Sequence, residues 1–496
     1  MSFADRVRET FARDAARASI EYRGRTFRWG DVAAAADALD RLLESAGVAP
    51  GLAVGVVAHN RAAQLGTAYA LMSRGRCATL ISPALTPERL AAEIRSLRLP
   101  MVAAAEELIA EPAVRAALAE TGAAAIALRS DFVGAAQLTE GFSRVAAGRE
   151  YRARPEGGVE ISTSGTTGDP KRISHPSVTL EKAALSEVGV MANIEARVEP
   201  ERRNAPFLMP YPISTAACFH TFHPAMTGRA IALMDKFDID EWLDAMRRHR
   251  PPCAYSPPAG MRMLLEAKPP REIFAGTLAV RTGGAPLESE AIARLHAEYG
   301  LRITPQYGAT EYCGVVTWWP MEDLERHAES KRSSVGRARP DVELRVISTE
   351  TGKPLPAGET GILEVRVGRV GPEWMRSTDL ATIDADGFLF IRGRADDAIN
   401  RGGFKILPEP LADVLRLHPS VRDASVVGMP DPRLGEVPVA AVELREGVSA
   451  PSEDELLAHV RRHVPSYQVP TRIRVVAALP RNAMQKVVRA QVREMF

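Results

Sequence analysis

Ile161-Ser-Thr-Ser-Gly-Thr-Thr-Gly-Asp-Pro-Lys171 sets four hydroxyl residues and two glycines in six positions: Thr163, Ser164, Gly165, Thr166, Thr167 and Gly168. Glycines let backbone N–H groups approach an anion closely, and hydroxyls add donors without bulk. Lys171 brings a positive charge to the end of the run, so the composition suits a loop that grips a polyphosphate. It is not the Walker A loop, which needs a lysine directly after its second glycine at a helix start. Here Asp169 and Pro170 intervene, Arg172 follows the lysine, and Pro170 turns Asp169 away from helical geometry.

Outward from this segment, the pattern predicts a strand ending near Ser162 and a helix beginning around Ser177. Upstream, Asp31 is a candidate cap for a helix with apolar positions Val32, Ala35, Leu39, Leu42 and Leu43. Residues 52–58 and 77–81 read as buried strands and 61–73 as a helix. Thr86-Pro87-Glu88 opens another helix with proline at its first position. The alanine-rich stretch 103–127 is predicted helical. Strands separated by helices imply parallel sheets covered on both faces, an α/β fold. Downstream, 279–281 leads into Gly283-Gly284-Ala285-Pro286, and a helix over 288–299 precedes a strand over 302–306. Short alternating strands at 343–347 and 361–367 predict a β-rich subdomain over about 336–394. The expected division is 1–394 and 395–496, the second part a small α/β domain.

A chain of 496 residues suggests two or three domains. With 46% hydrophobic residues, 25% charged residues and a net charge of +1, nothing favours nucleic acid or an anionic membrane as partner. No apolar run spans a bilayer, and the N-terminus mixes charges of both signs without a signal-peptide core. Cys77, Cys218, Cys253 and Cys313 are scattered without metal or disulfide spacing. The reading is a cytoplasmic protein, monomer or homodimer.

Gln306-Tyr307-Gly308-Ala309-Thr310-Glu311 combines a flexible glycine, a hydroxyl and a carboxylate. Magnesium takes one or two protein carboxylates plus phosphate oxygens, so a lone Glu311 beside Thr310 suits a Mg-nucleotide site. On its own the hexapeptide reads equally as a strand and a turn. Together the two segments resemble the adenylate-forming superfamily of acyl-CoA synthetases, peptide-synthetase adenylation domains and luciferases. Three further segments fit that family in order. They are Ser377-Thr378-Asp379 with Arg394 and Asp396, the run around Gly402-Gly403, and Pro480-Arg-Asn-Ala-Met-Gln485-Lys486. Three residues depart from the family pattern: Thr378 and Gln485 stand where glycine is usual, and Pro410 where glutamate is.

The resemblance implies a large N-terminal domain with a β subdomain and a small mobile C-terminal domain. It implies ATP, Mg2+ and coenzyme A, with a small carboxylic acid as substrate. Thr163 to Gly168 with Lys171, Gly284, Ala285, Pro286, Gln306, Tyr307, Gly308, Asp379 and Arg394 would bind ATP, and Glu311 would hold the metal. Lys486, Thr310 and Glu311 would be catalytic, Asp396 the hinge, and Gly402 and Gly403 the coenzyme A contact. Residues 209–216 hold no acid that would meet an α-ammonium group, which implies a non-amino acid, aromatic or medium-chain aliphatic. Tyr211, Ser214, His220 and Tyr255 are candidates for its pocket; His220 and Tyr255 read equally as core. An amide synthetase or adenylation-only enzyme that passes the acyl group to an amine or carrier, or a nucleotide-binding protein without turnover, stays open on these residues.

Overall fold

The computed structural model describes residues 2–129, 136–163, 171–482 and 485–496. They form two compact units. One comprises Met1–Gly283, Ala293–Val316 and Pro320–Arg326, the other Gly284–Ile292, Thr317–Trp319 and His327–Phe496. No helix among the described residues is long and apolar enough to cross a membrane.

The first unit is built on a seven-stranded sheet. Its members in chain order are β1 (Val54–Val57), β2 (Cys77–Ile81), β3 (Met101–Ala105), β4 (Ala124–Leu128), β5 (Ala136–Leu138), β6 (Gly158–Ser162) and β7 (Arg172–His175). They lie in the order β5-β4-β3-β1-β2-β6-β7. The inner five are parallel, and the two edge strands are antiparallel to their neighbours. Every residue of β1, β2 and β3 is buried, as expected for strands covered on both faces. Helix α1 (Ala62–Ser73) is buried along its whole length, and α2 (Pro87–Leu97) starts as its sequence predicts, with the Thr86 hydroxyl capping. A second sheet joins Ala18–Tyr22, Arg25–Arg28, Phe207–Met209 and Ile231–Leu233, and a parallel three-stranded sheet joins Cys253–Tyr255, Ala279–Gly283 and Ile303–Gln306.

Three expectations are corrected. Residues 103–127 are not one helix: β3 and β4 enclose the short helices Glu106–Ala110 and Pro112–Thr121. Burial between neighbouring strands overrides alanine's helix preference there, and the small side chains let helices seat closely on the sheet. Asp31 is not the cap of its helix, which begins at Trp29; its carboxylate accepts the Arg28 N–H from inside the first turn at 2.7 Å. The strand β7, between the loop and helix α3 (Ser177–Glu195), was not expected.

The second unit contains a four-stranded antiparallel sheet, β8 (Val342–Ile347), β9 (Thr360–Val367), β10 (Trp374–Ile383) and β11 (Leu389–Arg394). A five-stranded sheet follows, with order β13-β12-β15-β14 for β12 (Ile399–Arg401), β13 (Phe404–Ile406), β14 (Val421–Asp431) and β15 (Gly435–Leu444); Arg472–Val476 joins β15 in parallel. Helices Pro408–Arg416 and Glu453–Arg461 pack on it through Leu411, Leu415, Leu456 and Val460.

Candidate active site

Strands β6 and β7 form an antiparallel pair whose far ends are Thr163 and Lys171. The Thr163 N–H donates to the Lys171 carbonyl at 2.7 Å, and its hydroxyl reaches the same oxygen at 3.2 Å. The base of the loop is therefore closed, and Lys171 is exposed beside it. Ser164, Gly165, Thr166, Thr167 and Gly168 lie outside the described residues.

Gln306 ends its strand, and Gly308-Ala309 folds back on Gly314-Val315. A Cβ at Gly308 would lie 2.5 Å from the Gly314 carbonyl, so only glycine allows this approach. Tyr307 accepts the Val316 N–H at 2.9 Å and places its ring 6.3 Å from that of Tyr312. At the tip, Thr310 is buried while Glu311 is exposed and makes no ion pair among the described residues. His175, which the sequence reading missed, ends β7 and donates from Nε2 to the Thr310 carbonyl at 2.6 Å. One histidine thus ties the β6–β7 hairpin to the Thr310-Glu311 turn. Its position three residues past the loop's strand entry was the available signal.

The acid-pocket candidates occupy the same unit with different commitments. Burial pushes the Tyr211 phenol above its usual range. Ser214 is buried. Tyr255 donates its hydroxyl to Glu187 at 3.0 Å, under the Arg281 guanidinium 4.7 Å from its ring. Glu187 and Arg281 form a buried ion pair. The half-buried His220 ring lies 6.2 Å from Phe207 and 4.9 Å from Tyr255, whose own rings are 4.6 Å apart.

In the second unit, Gly284, Ala285 and Pro286 are exposed, and Gly284 takes φ +85°. Asp379 and Arg394 face each other across β10 and β11. Arg394 holds Asp396 through two hydrogen bonds, at 2.9 and 2.6 Å, which lower the Asp396 carboxyl below its usual range. The charges of Asp379 and Arg394 also act on Lys486. Surrounding protein lowers its ammonium below the ordinary lysine range although the side chain keeps solvent exposure; Arg394 pushes the same way and Asp379 opposes. Gly402 and Gly403, with φ +57° and +91°, form the two-residue turn between β12 and β13. Beside it Phe404 is 57% exposed and stacks on Tyr467 at 4.7 Å.

These are a closed loop base, a carboxylate at a turn tip, and a lysine subject to the charges of Asp379 and Arg394. The family pattern described as AMP-binding enzyme matches residues 7–374. The chain belongs to the AMP-binding enzyme family. That family's C-terminal domain matches 411–486, ending on Lys486. This AMP-binding enzyme is of the adenylate-forming, acyl-CoA synthetase type. It is 28% identical over 501 residues to 4-coumarate–CoA ligase-like 9 of Oryza sativa subsp. japonica, covering 95% of this chain and 88% of the relative. ATP-bound MatB from Rhodopseudomonas palustris shares the fold at TM-score 0.82 and 24% identity, over 100% of this chain and 99% of that one. o-Succinylbenzoate CoA synthetase (MenE) from Bacillus subtilis, with its acyl-adenylate OSB-AMP, matches at TM-score 0.77 and 21% identity, over 99% and 98%.

Proposed function

We propose that this enzyme converts a carboxylic acid without an α-amino group, aromatic or medium-chain aliphatic, to its acyl-AMP and then to its coenzyme A thioester. The pairing of Asp379 with Arg394 across β10 and β11, in a chain whose C-terminal family match ends on Lys486, carries this reading. In the first step a carboxylate oxygen attacks the α-phosphorus of ATP, the bond to the β-phosphate bridge breaks, and pyrophosphate leaves. Thr163 and Lys171, with the loop between them, bind the β- and γ-phosphates. Lys486 neutralises charge gathering on the reacting oxygens, and preorganised charge of this kind is worth several kcal/mol. Asp379 and Arg394 hold the ribose, and Gly284 to Pro286 with Gln306, Tyr307 and Gly308 hold the base and sugar.

The exposed Glu311, uncommitted to any cation among the described residues, suits Mg2+ carried in with ATP, and Thr310 stands beside it. When bound, the metal neutralises phosphate charge. In the second step residues 395–496 turn about Asp396, bringing Gly402 and Gly403 to the coenzyme A arm. The thiol sulfur attacks the acyl carbonyl, its proton goes to solvent, the mixed anhydride C–O bond breaks and AMP leaves.

Two observations support a non-amino acid. Residues 209–216 hold no carboxylate, and the nearby buried Glu187 is neutralised by Arg281, leaving no net negative charge for an ammonium group. The four cysteines are buried and free, which favours a reducing, cytoplasmic setting. Mass spectrometry of products from ATP, Mg2+, coenzyme A and a library of aryl and alkyl acids tests the reading. Acyl-CoA with AMP is expected; acyl-adenylate without thioester would replace coenzyme A by an amine or carrier acceptor.

A further inference from the structure

Gln485 and Lys486 are exposed, so packing does not fix the lysine's place. Hydrogen bonds do. The Lys486 N–H donates to Asn482 Oδ1 at 3.1 Å, the Asn482 N–H returns to the Lys486 carbonyl at 2.9 Å, and the Gln485 N–H donates to the Asn482 carbonyl at 2.9 Å. Arg481 and Val487 face each other across the base of the turn. Gln485 itself has φ +61°. A side chain in that left-handed region crowds the next carbonyl and costs roughly 1–2 kcal/mol, so the turn needs something to hold it there.

Arg481 supplies the hold. Its Nη1 donates to the Gln485 carbonyl at 3.0 Å, the oxygen of the peptide group that joins Gln485 to Lys486. Its Nη2 pairs with Asp423 at 2.5 Å and lies 3.8 Å from Glu443. Both carboxylates are buried in the C-terminal sheet. Asp423 is shared with Arg416 at 2.8 Å, and Glu443 also accepts the Leu479 N–H at 3.0 Å. Beyond the lysine, Arg489 pairs with Asp397 and with Glu409, at 2.7 Å for the latter, and Glu409 returns to Arg416 at 2.9 Å. Both ends of the lysine turn are therefore anchored on one chain of ion pairs. A planar guanidinium spans carboxylate and carbonyl in fixed geometry; an ammonium is a point charge and does not.

We propose that Arg481 is a positioning residue for adenylation, fixing Lys486 by holding the Gln485–Lys486 peptide against Asp423 and Glu443. This rests on the reading of Lys486 as the adenylation lysine. The test measures acyl-adenylate formation and coenzyme A thiolysis of supplied acyl-adenylate separately in R481A, R481K, R481A/Q485G and K486A. R481A and R481K should lower adenylation kcat about tenfold or more, with KM for ATP within about twofold and thiolysis unchanged. The double variant should recover most of the loss, because glycine adopts φ +61° without strain. R481K carries the test should R481A fail to fold. Wild-type adenylation in both single variants, equal loss in both half-reactions of R481K, or no rescue by Q485G overturns the proposal. Loss in K486A beside intact R481A and R481K removes Arg481's role alone. Intact adenylation in K486A removes the lysine's assignment, and the proposal with it.

Discussion

His223 is 4% exposed, and its Nδ1 has no hydrogen-bond partner among the described residues. Burial lowers its pKa from 6.5 to about 4; Glu187 pulls it upward, and Arg229 and Arg281 push it further down. The ring is neutral in the fold, whereas in the unfolded chain it takes a proton below about pH 6.5. Between those two values the unfolded state binds more protons, so this residue's contribution is intact above pH 6.5 and is lost as pH falls toward 4. The loss amounts to about 3 kcal/mol at most. Urea midpoints measured across this window should fall with acid in the parent enzyme and fall less steeply in H223Q; an unchanged slope would move the cause elsewhere. Residue identity alone was a poor guide to the three departures from the family pattern, because backbone conformation decides each. Thr378 lies in β10, where a β-branched residue fits, and its carbonyl accepts the Ala395 N–H at 2.8 Å. Pro410 falls in the first turn of Pro408–Arg416, where its missing N–H would have no intrahelical partner. Only Gln485 takes the conformation that favours glycine, and it needs Arg481 to do so.

The hairpin β6–β7 is the element on which the proposed nucleotide end of the site depends, since it carries Thr163, Lys171 and His175. Gly158 opens it with φ +114°, and a Cβ there would lie 2.1 Å from the His175 carbonyl. Gly158→Ala should therefore destabilise the enzyme by about 3 kcal/mol and raise KM for ATP, because relief of the clash pries the two strands apart. Gly189 is the contrasting case. It is exposed inside α3, and a Cβ there meets nothing within 4 Å. Gly189→Ala should stabilise by about 0.5–1 kcal/mol, read as a higher urea midpoint with kcat/KM unchanged. A stable, fully active G158A would show that the strand pair tolerates a shift the geometry forbids. Legibility followed the same physics at this scale. Cys77–Ile81 and Pro87–Leu97 were readable because a buried apolar run and a Thr-Pro cap leave unambiguous marks. The alanine strands and the four-residue β7 were not, because alanine signals helix by propensity and Arg172-Ile-Ser-His175 lacks an apolar face; only their sheet neighbours make them strands.

Across the whole molecule, the order of five sequence segments was enough to read the family and the roles proposed for its residues, since each segment is local. The ion-pair chain around Arg416 was hidden, because its members lie far apart in sequence and a charged residue on a helix ordinarily faces solvent. Arg416 is 11% exposed at its side chain and is met by Glu409 at 2.9 Å, Asp413 at 2.7 Å, Asp423 at 2.8 Å and Glu288 at 3.3 Å. Three of these carboxylates belong to residues 395–496. Glu288 does not; it follows Gly284-Ala285-Pro286, the segment proposed to hold the adenine. If residues 395–496 turn about Asp396 between the two half-reactions, the three internal pairs travel together and the Glu288 contact breaks. Glu288→Gln removes the charge from that one contact and leaves Arg416 compensated by three carboxylates, so the fold should keep its stability. Adenylation kcat/KM should drop about threefold to tenfold, the range for a part-buried ion pair worth about 1 kcal/mol, while thiolysis of supplied acyl-adenylate should hold or rise. Parallel losses in both half-reactions would mean that Glu288 serves the fold alone and that turning about Asp396 leaves its contact with Arg416 intact.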